Sequence, residues 1–228
     1  MVRGKLIVFE GTDGSGKGTQ LSLLVDTFKA RNIAYETMDF PRYEKSFFGD
    51  LAGRMLAGDF GGVNAIPSEL AALPYACDRW LLKEELLVWL GAGKIIVSNR
   101  YTASSAVYQA AKMVPEKQYG FLDWVYKLEQ EVIGLPKEDL VLFFHVPVSV
   151  SQELVVKKAK RSYLGDKKKD IYEENVGIQE SVERLYLALA STRSNWRTIE
   201  CVENGLIRTP DAIQKDILDV LRANEVVL

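Results

Sequence analysis

The sequence predicts an α/β fold, namely a three-layer, doubly wound sheet of about five parallel strands with helices on both faces. Short apolar segments alternate along the whole chain with longer segments of helical periodicity, which is the order of parallel βαβ units. No internal repeat or linker-like stretch interrupts the 228 residues. One domain spanning residues 1–228 is therefore expected.

The predicted strands are short and apolar, as expected for strands buried on both faces of a sheet. The first contains the run Leu6–Phe9, and the second is closed by Pro41. In chain order, the predicted strands are Lys5–Phe9, Ile33–Phe40, Ile95–Val97, Leu140–Val146 and Trp196–Val202.

The predicted helices carry apolar residues three or four positions apart. The first, Lys17–Arg31, has Leu24 and Phe28 on one face. A long helix over Ser68–Gly91 contains Pro74, where a bend is expected. The other predicted helices are Ser46–Ala57, Thr102–Lys112, Glu116–Ile133, Val148–Lys160, Tyr172–Ser191 and Pro210–Asn224.

Composition argues against several functional classes. With 29 basic and 31 acidic residues, a surface that is basic throughout and binds nucleic acid is not expected. The longest uncharged stretch, Leu140–Gln152, has 13 residues, fewer than the roughly 18 of a membrane span. Cys77 and Cys201 lie far apart, which fits free thiols in a reducing cytoplasm. The single histidine, His145, excludes a zinc site built from histidines and a Ser-His-Asp triad.

A glycine-rich turn between the first strand and the first helix predicts a phosphate site. Residues 11–17 read G-T-D-G-S-G-K, which fits the P-loop pattern G-x-x-x-x-G-K. Glycines let successive backbone N–H groups point at phosphate oxygens, and the lysine reaches the β- and γ-phosphates. The predicted ATP-binding residues are Gly11, Thr12, Asp13, Gly14, Ser15, Gly16, Lys17, Gly18 and Thr19.

The residues after Lys17 narrow the class of P-loop protein. Gly18 stands where most P-loops have Ser or Thr, and Thr19 follows. The string G-K-G-T-Q is the arrangement of nucleoside-monophosphate kinases such as adenylate kinase, and Thr19 is then the natural hydroxyl for Mg²⁺ or for a phosphate oxygen. The guanine-reading N-K-x-D motif of GTPases is absent, because no Asn-Lys pair occurs in the chain.

Three arginines beside aromatic residues point to a second phosphorylated substrate. Arg42 follows the second strand, Arg79 follows Tyr75 in the long helix, and Arg100 follows the third strand. Ligands of doubly wound sheets bind at the carboxyl ends of the strands. Each arginine alone is equally compatible with a surface ion pair.

Together these segments resemble the thymidylate kinase family, which transfers the γ-phosphoryl group of ATP to dTMP. The resemblance covers nearly the whole chain. It rests on Phe9–Lys17, Phe40–Arg42, Asp78-Arg79, the Arg-Tyr-x-x-Ser-x-x-x-Tyr-Gln run over Arg100–Gln109, and Asp170–Glu173.

The resemblance implies a role for individual residues. Lys17, Arg100 and Arg161 would be catalytic, and Thr19 and Asn99 would hold Mg²⁺ through water. For the phosphate and sugar of dTMP, the resemblance implies that Arg42 and Arg100 bind the phosphate, Asp13 binds the 3′-hydroxyl, and Tyr108 excludes a 2′-hydroxyl. For the base, it implies that Tyr75 stacks on thymine, Arg79 donates to O4, and Ser105 contacts the base. The other implied substrate-binding residues are Phe40, Pro41, Asn99, Ser104, Asp170 and Tyr172.

A lysine-rich segment resembles the family's lid over ATP. Lys157–Lys169 has seven basic residues and one acid, and the lid is expected over about residues 157–171. Gly14 stands where some members have an arginine, so the positive charge is expected from the lid. Asn99 replaces the Asp that many members carry there.

The resemblance implies ATP and Mg²⁺ as cofactors, dTMP as the acceptor and a homodimer. The alternatives are another nucleotide kinase acting on dUMP, UMP or AMP, a deoxynucleoside kinase, and a P-loop protein that binds nucleotide without turnover. No nucleic-acid or membrane partner is expected.

Overall fold

The fold is seen in a computed structural model, which describes residues 3–150, 170–172 and 175–226. Its centre is a five-stranded sheet in the order β2-β3-β1-β4-β5. All neighbouring pairs are parallel, as the alternation of strands and helices predicts. The strands are β1 (Leu6–Glu10), β2 (Tyr35–Asp39), β3 (Ile95–Asn99), β4 (Leu140–His145) and β5 (Trp196–Glu200).

Helices connect the strands and cover both faces of the sheet. Their bounds are α1 (Lys17–Ala30), α2 (Phe47–Leu56), α3 (Ser68–Leu81), α4 (Lys83–Gly91), α5 (Thr102–Ala110), α6 (Pro115–Tyr126), α7 (Val176–Thr192) and α8 (Pro210–Ala223). A π-helical segment, Lys127–Val132, continues α6.

The two faces of the sheet bury separate apolar clusters. In β1, Leu6 and Val8 pack with residues of α5, α6 and α7. Ile7 and Phe9 face the other way and pack with residues of α1 and α8. This alternation explains why β1 reads as a continuous apolar run, and it confirms the three-layer prediction.

Three predicted elements differ from those observed. The long helix is interrupted at Leu82 and not at Pro74, which lies inside α3; Leu82 is buried in the core between the two helices. Helix α7 begins at Val176, because the side chain of Asn175 accepts the N–H of Ile178 and caps it there. The helix predicted to end at Ile133 becomes the π-helical segment after Tyr126.

The predicted strand Trp196–Val202 ends at Glu200, and a small hairpin follows it. Its strands are β6 (Val202–Glu203) and β7 (Leu206–Ile207). The turn residues Asn204 and Gly205 have φ of 51° and 76°. An Asn-Gly pair is a strong hairpin signal, so this hairpin could have been predicted from the sequence.

The predicted helix Val148–Lys160, apart from its first three residues, and the basic segment Lys157–Lys169 lie outside the described residues. Within the part of the chain that is described, no helix is both long and apolar enough to cross a bilayer.

Candidate active site

The P-loop follows β1 and leads directly into α1. Gly14 and Gly16 have φ of 82° and 87°, a left-handed backbone that glycine adopts without strain. The ammonium group of Lys17 curls over the loop and donates to the carbonyl oxygens of Gly11 at 2.9 Å and Thr12 at 2.8 Å. The loop therefore has the form of an anion-binding nest with a lysine at its edge.

Arg100 follows β3 and lies across the mouth of the P-loop. Its Nη2 atom donates to Oδ2 of Asp13 at 3.1 Å and its Nη1 atom to Oγ of Ser104 at 3.0 Å. Burial is the largest single influence and lowers the pKa of Arg100, but the neighbouring acidic groups, Asp13 first among them, together outweigh burial and hold that pKa well above its usual value. A fixed positive charge thus stands beside the phosphate loop.

The backbone of Arg100 is strained. Its φ is 67°, in the left-handed region that costs a residue with a side chain about 1–2 kcal/mol. Its N–H donates to the carbonyl oxygen of Phe9 at 2.9 Å, and its own carbonyl accepts the hydroxyl of Ser98 at 2.6 Å. Such strain persists only where the surroundings hold it, and it clusters at functional sites.

Arg79 enters the cleft from α3 and is buried. Its Nε atom donates to Oε2 of Glu129 at 2.7 Å, and its Nη2 atom donates to Glu129 and to the Ser105 hydroxyl. The guanidinium lies 5.9 Å from the ring centre of Phe40. These contacts leave Nη1 as the nitrogen that a ligand can meet.

Arg42, which the sequence pairs with Arg100 at the acceptor phosphate, is held by Asp78 of α3. Its Nε atom donates to Oδ1 of Asp78 at 3.0 Å, and its Nη2 atom donates to the Asp78 carbonyl. Arg42 is not among the residues that line the cleft. Because Asp78 takes Nε and one N–H of Nη2, the Nη1 atom and the second N–H of Nη2 are left to reach a phosphate.

Asn99 and Asp39 lie side by side where β3 and β2 end. The Asn99 amide donates to Oδ1 of Asp39 at 2.9 Å. The other amide atom, Oδ1 of Asn99, is buried and has no partner among the described residues. A buried amide oxygen with no partner is an acceptor that a metal-bound water can satisfy.

Aromatic residues from α5 and from the segment before α7 close one side of the cleft. The rings of Tyr108 and Tyr172 meet edge to face at 5.5 Å, and Gln109 donates to the Tyr172 hydroxyl at 2.7 Å. Asp170 accepts the backbone N–H of Tyr172 at 2.9 Å. Burial raises the pKa of both tyrosine hydroxyls, so both stay protonated at neutral pH.

These groups surround one cleft of about 680 Å³, within the range of small-molecule sites. The predicted residues that line it are Asp13, Gly14, Ser15, Gly16, Lys17, Gly18, Thr19, Phe40, Pro41, Tyr75, Arg79, Asn99, Arg100, Ser104, Ser105, Tyr108, Asp170 and Tyr172. Gly11, Thr12 and Arg42 lie outside the lining. Arg161 lies outside the described residues.

Several residues at the site have no role assigned to them from the sequence. Asp39, Tyr43, Leu56 and Gln109 also line the cleft. Glu10, Asp78 and Glu129 are buried carboxylates behind it. A usable signal existed for Glu10, since it follows the apolar run of β1 directly and a buried carboxylate needs partners.

Comparisons with known proteins point to one family. The thymidylate kinase family model matches residues 9–207. The thymidylate kinase of Mycobacterium tuberculosis is 30% identical over 188 residues, which is 82% of this chain and 86% of the relative. The human thymidylate kinase is 27% identical over 219 residues, 94% of this chain and 88% of the relative.

A solved structure is also similar. The Candida albicans thymidylate kinase matches with a TM-score of 0.75 and 25% identity, covering 98% of this chain and 93% of that one. With a family model spanning the P-loop, Arg79, Arg100 and Tyr172, this chain belongs to the thymidylate kinase family and is a phosphotransferase.

Proposed function

We propose that this chain transfers the γ-phosphoryl group of MgATP to the phosphate of dTMP and so forms dTDP. One observation carries the proposal: the P-loop and the partly buried Arg100 lie in the same cleft, with Asp13 between them. A nest for the donor phosphates and a fixed cation for the acceptor phosphate suit a reaction in which both substrates carry phosphate.

On the donor side, the backbone of residues 11–19 and the Lys17 ammonium bind the ATP phosphates. The described residues contain no group of three or more His, Cys, Asp and Glu side chains that could hold a metal. Mg²⁺ is commonly held by nucleotide phosphates, waters and one or two side chains. The Thr19 hydroxyl and the unpartnered Asn99 Oδ1 fit that role. When bound, Mg²⁺ offsets the charge of the phosphate oxygens.

On the acceptor side, Arg100 holds the dTMP phosphate, and Arg42 reaches it with Nη1. Asp13 accepts the 3′-hydroxyl of the deoxyribose, as the family resemblance implies. It already makes an ion pair with Arg100, so one carboxylate orders both the cation and the sugar. Ser104, Asp170 and Tyr172 complete this end of the cleft.

The base occupies the region between α3 and α5. Tyr75 stacks on thymine, Arg79 donates to O4 from Nη1, and Ser105 contacts the base edge. The rings of Phe40 and Pro41 form the apolar floor. Tyr108 fills the space beside C2′ of the sugar, where its ring is backed by Tyr172.

The basic segment Lys157–Lys169 acts as the lid of a single kinase domain over residues 1–228, and Arg161 supplies the cation on the transferring group. The two free cysteines fit a cytoplasmic location. The functional unit is a homodimer. Leu70, Leu73 and Trp80 form an exposed apolar stripe on α3, which suits a second copy of the chain.

A panel of acceptors tests the proposed function. ADP release should be measured with ATP, Mg²⁺ and each of dTMP, dUMP, UMP, AMP and thymidine. Turnover with dTMP well above that with UMP, AMP and thymidine is expected, because Arg100 needs a phosphate and Tyr108 excludes a 2′-hydroxyl. Turnover only with AMP, or only with thymidine, would refute the proposal.

A further inference from the structure

A buried carboxylate that the reaction itself does not use stands at the end of β1. Glu10 is 0% exposed and accepts four hydrogen bonds. Oε1 accepts the backbone N–H groups of Tyr101 at 2.9 Å and Ser104 at 3.2 Å. Oε2 accepts the hydroxyls of Ser104 at 2.6 Å and Tyr186 at 2.9 Å. Every partner is a donor, so the site is built for an anion.

Two of these bonds hold the backbone next to Arg100. The N–H groups of Tyr101 and Ser104 belong to the turn that starts α5, immediately after the left-handed Arg100. That conformation is kept only while the neighbouring peptides are fixed. Two side chains fix the peptide on the helix side of Arg100: Glu10 accepts its N–H, and Ser98 donates to its carbonyl oxygen.

A third bond sets the direction of the Arg100 guanidinium. The Ser104 hydroxyl has one proton and gives it to Glu10. Its oxygen is then free to accept Nη1 of Arg100, 3.0 Å away. If the hydroxyl proton pointed the other way, it would meet the donor of Arg100. The ionised Glu10 thus determines that Ser104 is an acceptor at this point.

We propose that Glu10 is the positioning residue for Arg100, aligning its guanidinium with the acceptor phosphate from behind while Asp13 holds it from the front. The inference rests on the proposed function, in which Arg100 binds the phosphate of dTMP. Glu10 itself touches no substrate, because it is fully buried under the first turn of α5.

Glu10→Gln tests the proposal, since glutamine keeps the shape and removes the charge. Equilibrium dissociation constants should be measured for dTMP and for thymidine, which lacks the phosphate. The Kd for dTMP is expected to rise about tenfold, as for other supporting residues of a site, and the Kd for thymidine to stay within about twofold. In steady-state kinetics, KM for dTMP should rise while KM for ATP does not.

The matched control is Glu138→Gln, a buried carboxylate in the segment before β4, at the opposite ends of the strands. It should leave both dissociation constants unchanged. An equal rise for dTMP and thymidine in Glu10→Gln would reduce Glu10 to a structural role and overturn the proposal. Unchanged binding of dTMP in a folded variant would overturn it as well.

A double-mutant cycle separates positioning from direct contact. Tyr186→Phe removes one hydrogen bond to Glu10, and Tyr186 does not line the cleft. This variant should raise the Kd for dTMP when Arg100 is present and change it by less than about twofold in an Arg100→Ala background, because the relay has lost its target. An equal effect of Tyr186→Phe in both backgrounds would overturn the relay. This cycle tests the role of Glu10 even if Glu10→Gln does not fold.

The same measurements distinguish this inference from the proposed function. If the wild type binds dTMP more tightly than thymidine but transfers no phosphoryl group, the proposed function fails. The ratio of the two dissociation constants would still report how Glu10 acts on Arg100.

Discussion

Two arginines, Arg79 and Arg100, face the cleft, and each is held by its own carboxylate. Glu129 binds Arg79 and Asp13 binds Arg100. Pairing restricts each guanidinium to one orientation, so its remaining N–H groups point in a fixed direction. Specificity at this site therefore depends on buried acidic residues as well as on the arginines themselves.

Asn99 gives a prediction at the level of one residue. In Asn99→Asp, a second carboxylate faces Asp39, and a carboxylate is a stronger partner than an amide for the waters of Mg²⁺. We expect an active variant that reaches half-maximal rate at several-fold lower free Mg²⁺, with a modestly higher KM for dTMP. A charged hydrogen bond exceeds a neutral one by roughly 1–1.5 kcal/mol, about 5–12-fold in an equilibrium.

The lower Mg²⁺ requirement expected for Asn99→Asp should depend on pH. Although Asp39 is exposed at the edge of the cleft, the surrounding protein shields its carboxylate from water enough to raise its pKa. Two adjacent carboxylates raise the pKa of one of the pair, so the Mg²⁺ advantage should shrink as the pH is lowered. The swapped double variant Asp39→Asn/Asn99→Asp keeps one carboxylate and should lose this pH dependence. An unchanged Mg²⁺ requirement in Asn99→Asp would remove Asn99 from the metal site.

Tyr108 gives a prediction about the sugar. In Tyr108→Ala, the space beside C2′ opens, and the preference for dTMP over ribothymidine monophosphate should fall at least about tenfold, the scale on which a shaped pocket discriminates. Tyr108→Phe is the control, because it keeps the ring. Comparison of kcat/KM for the two nucleotides measures the effect. Preserved discrimination in Tyr108→Ala would mean that the tyrosine only packs against Tyr172.

At the level of single elements, the π-helical segment Lys127–Val132 places Glu129 within hydrogen-bond distance of Arg79. Single π-helical turns are rare and occur often at functional sites. Glu129 also accepts the hydroxyl of Thr102 at 2.7 Å. One irregular turn thus joins α3, α5 and the end of α6 through a single buried carboxylate.

Glu129→Gln should therefore destabilise the protein strongly. Removing one partner of a buried ion pair costs about 3–5 kcal/mol, because the other charge stays buried and unpaired. Glu131→Gln, two positions away and exposed, should change the free energy of unfolding by less than about 0.5 kcal/mol. Denaturant titration of both variants measures the difference. Similar stabilities would show that water satisfies Arg79 without Glu129.

The helices and strands were more predictable from the sequence than the side-chain pairs that join them. The P-loop and the strands follow from local patterns, so glycine spacing and apolar runs were sufficient to predict them. The Arg79–Glu129 pair joins residues 50 positions apart, and the Glu10–Ser104 pair joins residues 94 apart. A single sequence has no local signal for such pairs. The break at Leu82 likewise depends on packing in the core and not on the nearby proline.

On the scale of the whole molecule, stability should depend on the ionisation of Glu138. Burial raises the pKa of Glu138 to about 7, while an unfolded chain has about 4.3. The folded protein then keeps a proton that the unfolded chain releases. The favourable contribution of Glu138 is complete below the unfolded pKa and is lost as the pH rises through the folded value.

Between pH 4.5 and 8, the free energy of unfolding should therefore fall by about 3 kcal/mol more in the wild type than in Glu138→Gln. Glu131→Gln serves as the control and should follow the wild type. Thermal or denaturant unfolding across this pH range measures the difference. Parallel curves for wild type and Glu138→Gln would show that Glu138 titrates normally.

The sheet brings its functional groups together at the carboxyl ends of β1, β2 and β3, where Asp13, Asp39, Asn99 and Arg100 meet. The sequence predicted that Asp13, Asn99 and Arg100 would gather there, because parallel strands end at one edge, but it did not predict Asp39. It did not predict which carboxylates would hold the cations, since that depends on how α3, α5 and α6 pack over the sheet.

Transfer of a phosphoryl group from ATP to a second phosphate within one cleft can be measured directly. The purified protein is incubated with Mg²⁺, dTMP and ATP labelled with ³²P in the γ-phosphate, and the nucleotides are then separated. We expect label in the β-phosphate of dTDP, with a rate at least about two orders of magnitude lower in Lys17→Ala at unchanged folding. Label found only in inorganic phosphate, or an undiminished rate in folded Lys17→Ala, would contradict this expectation.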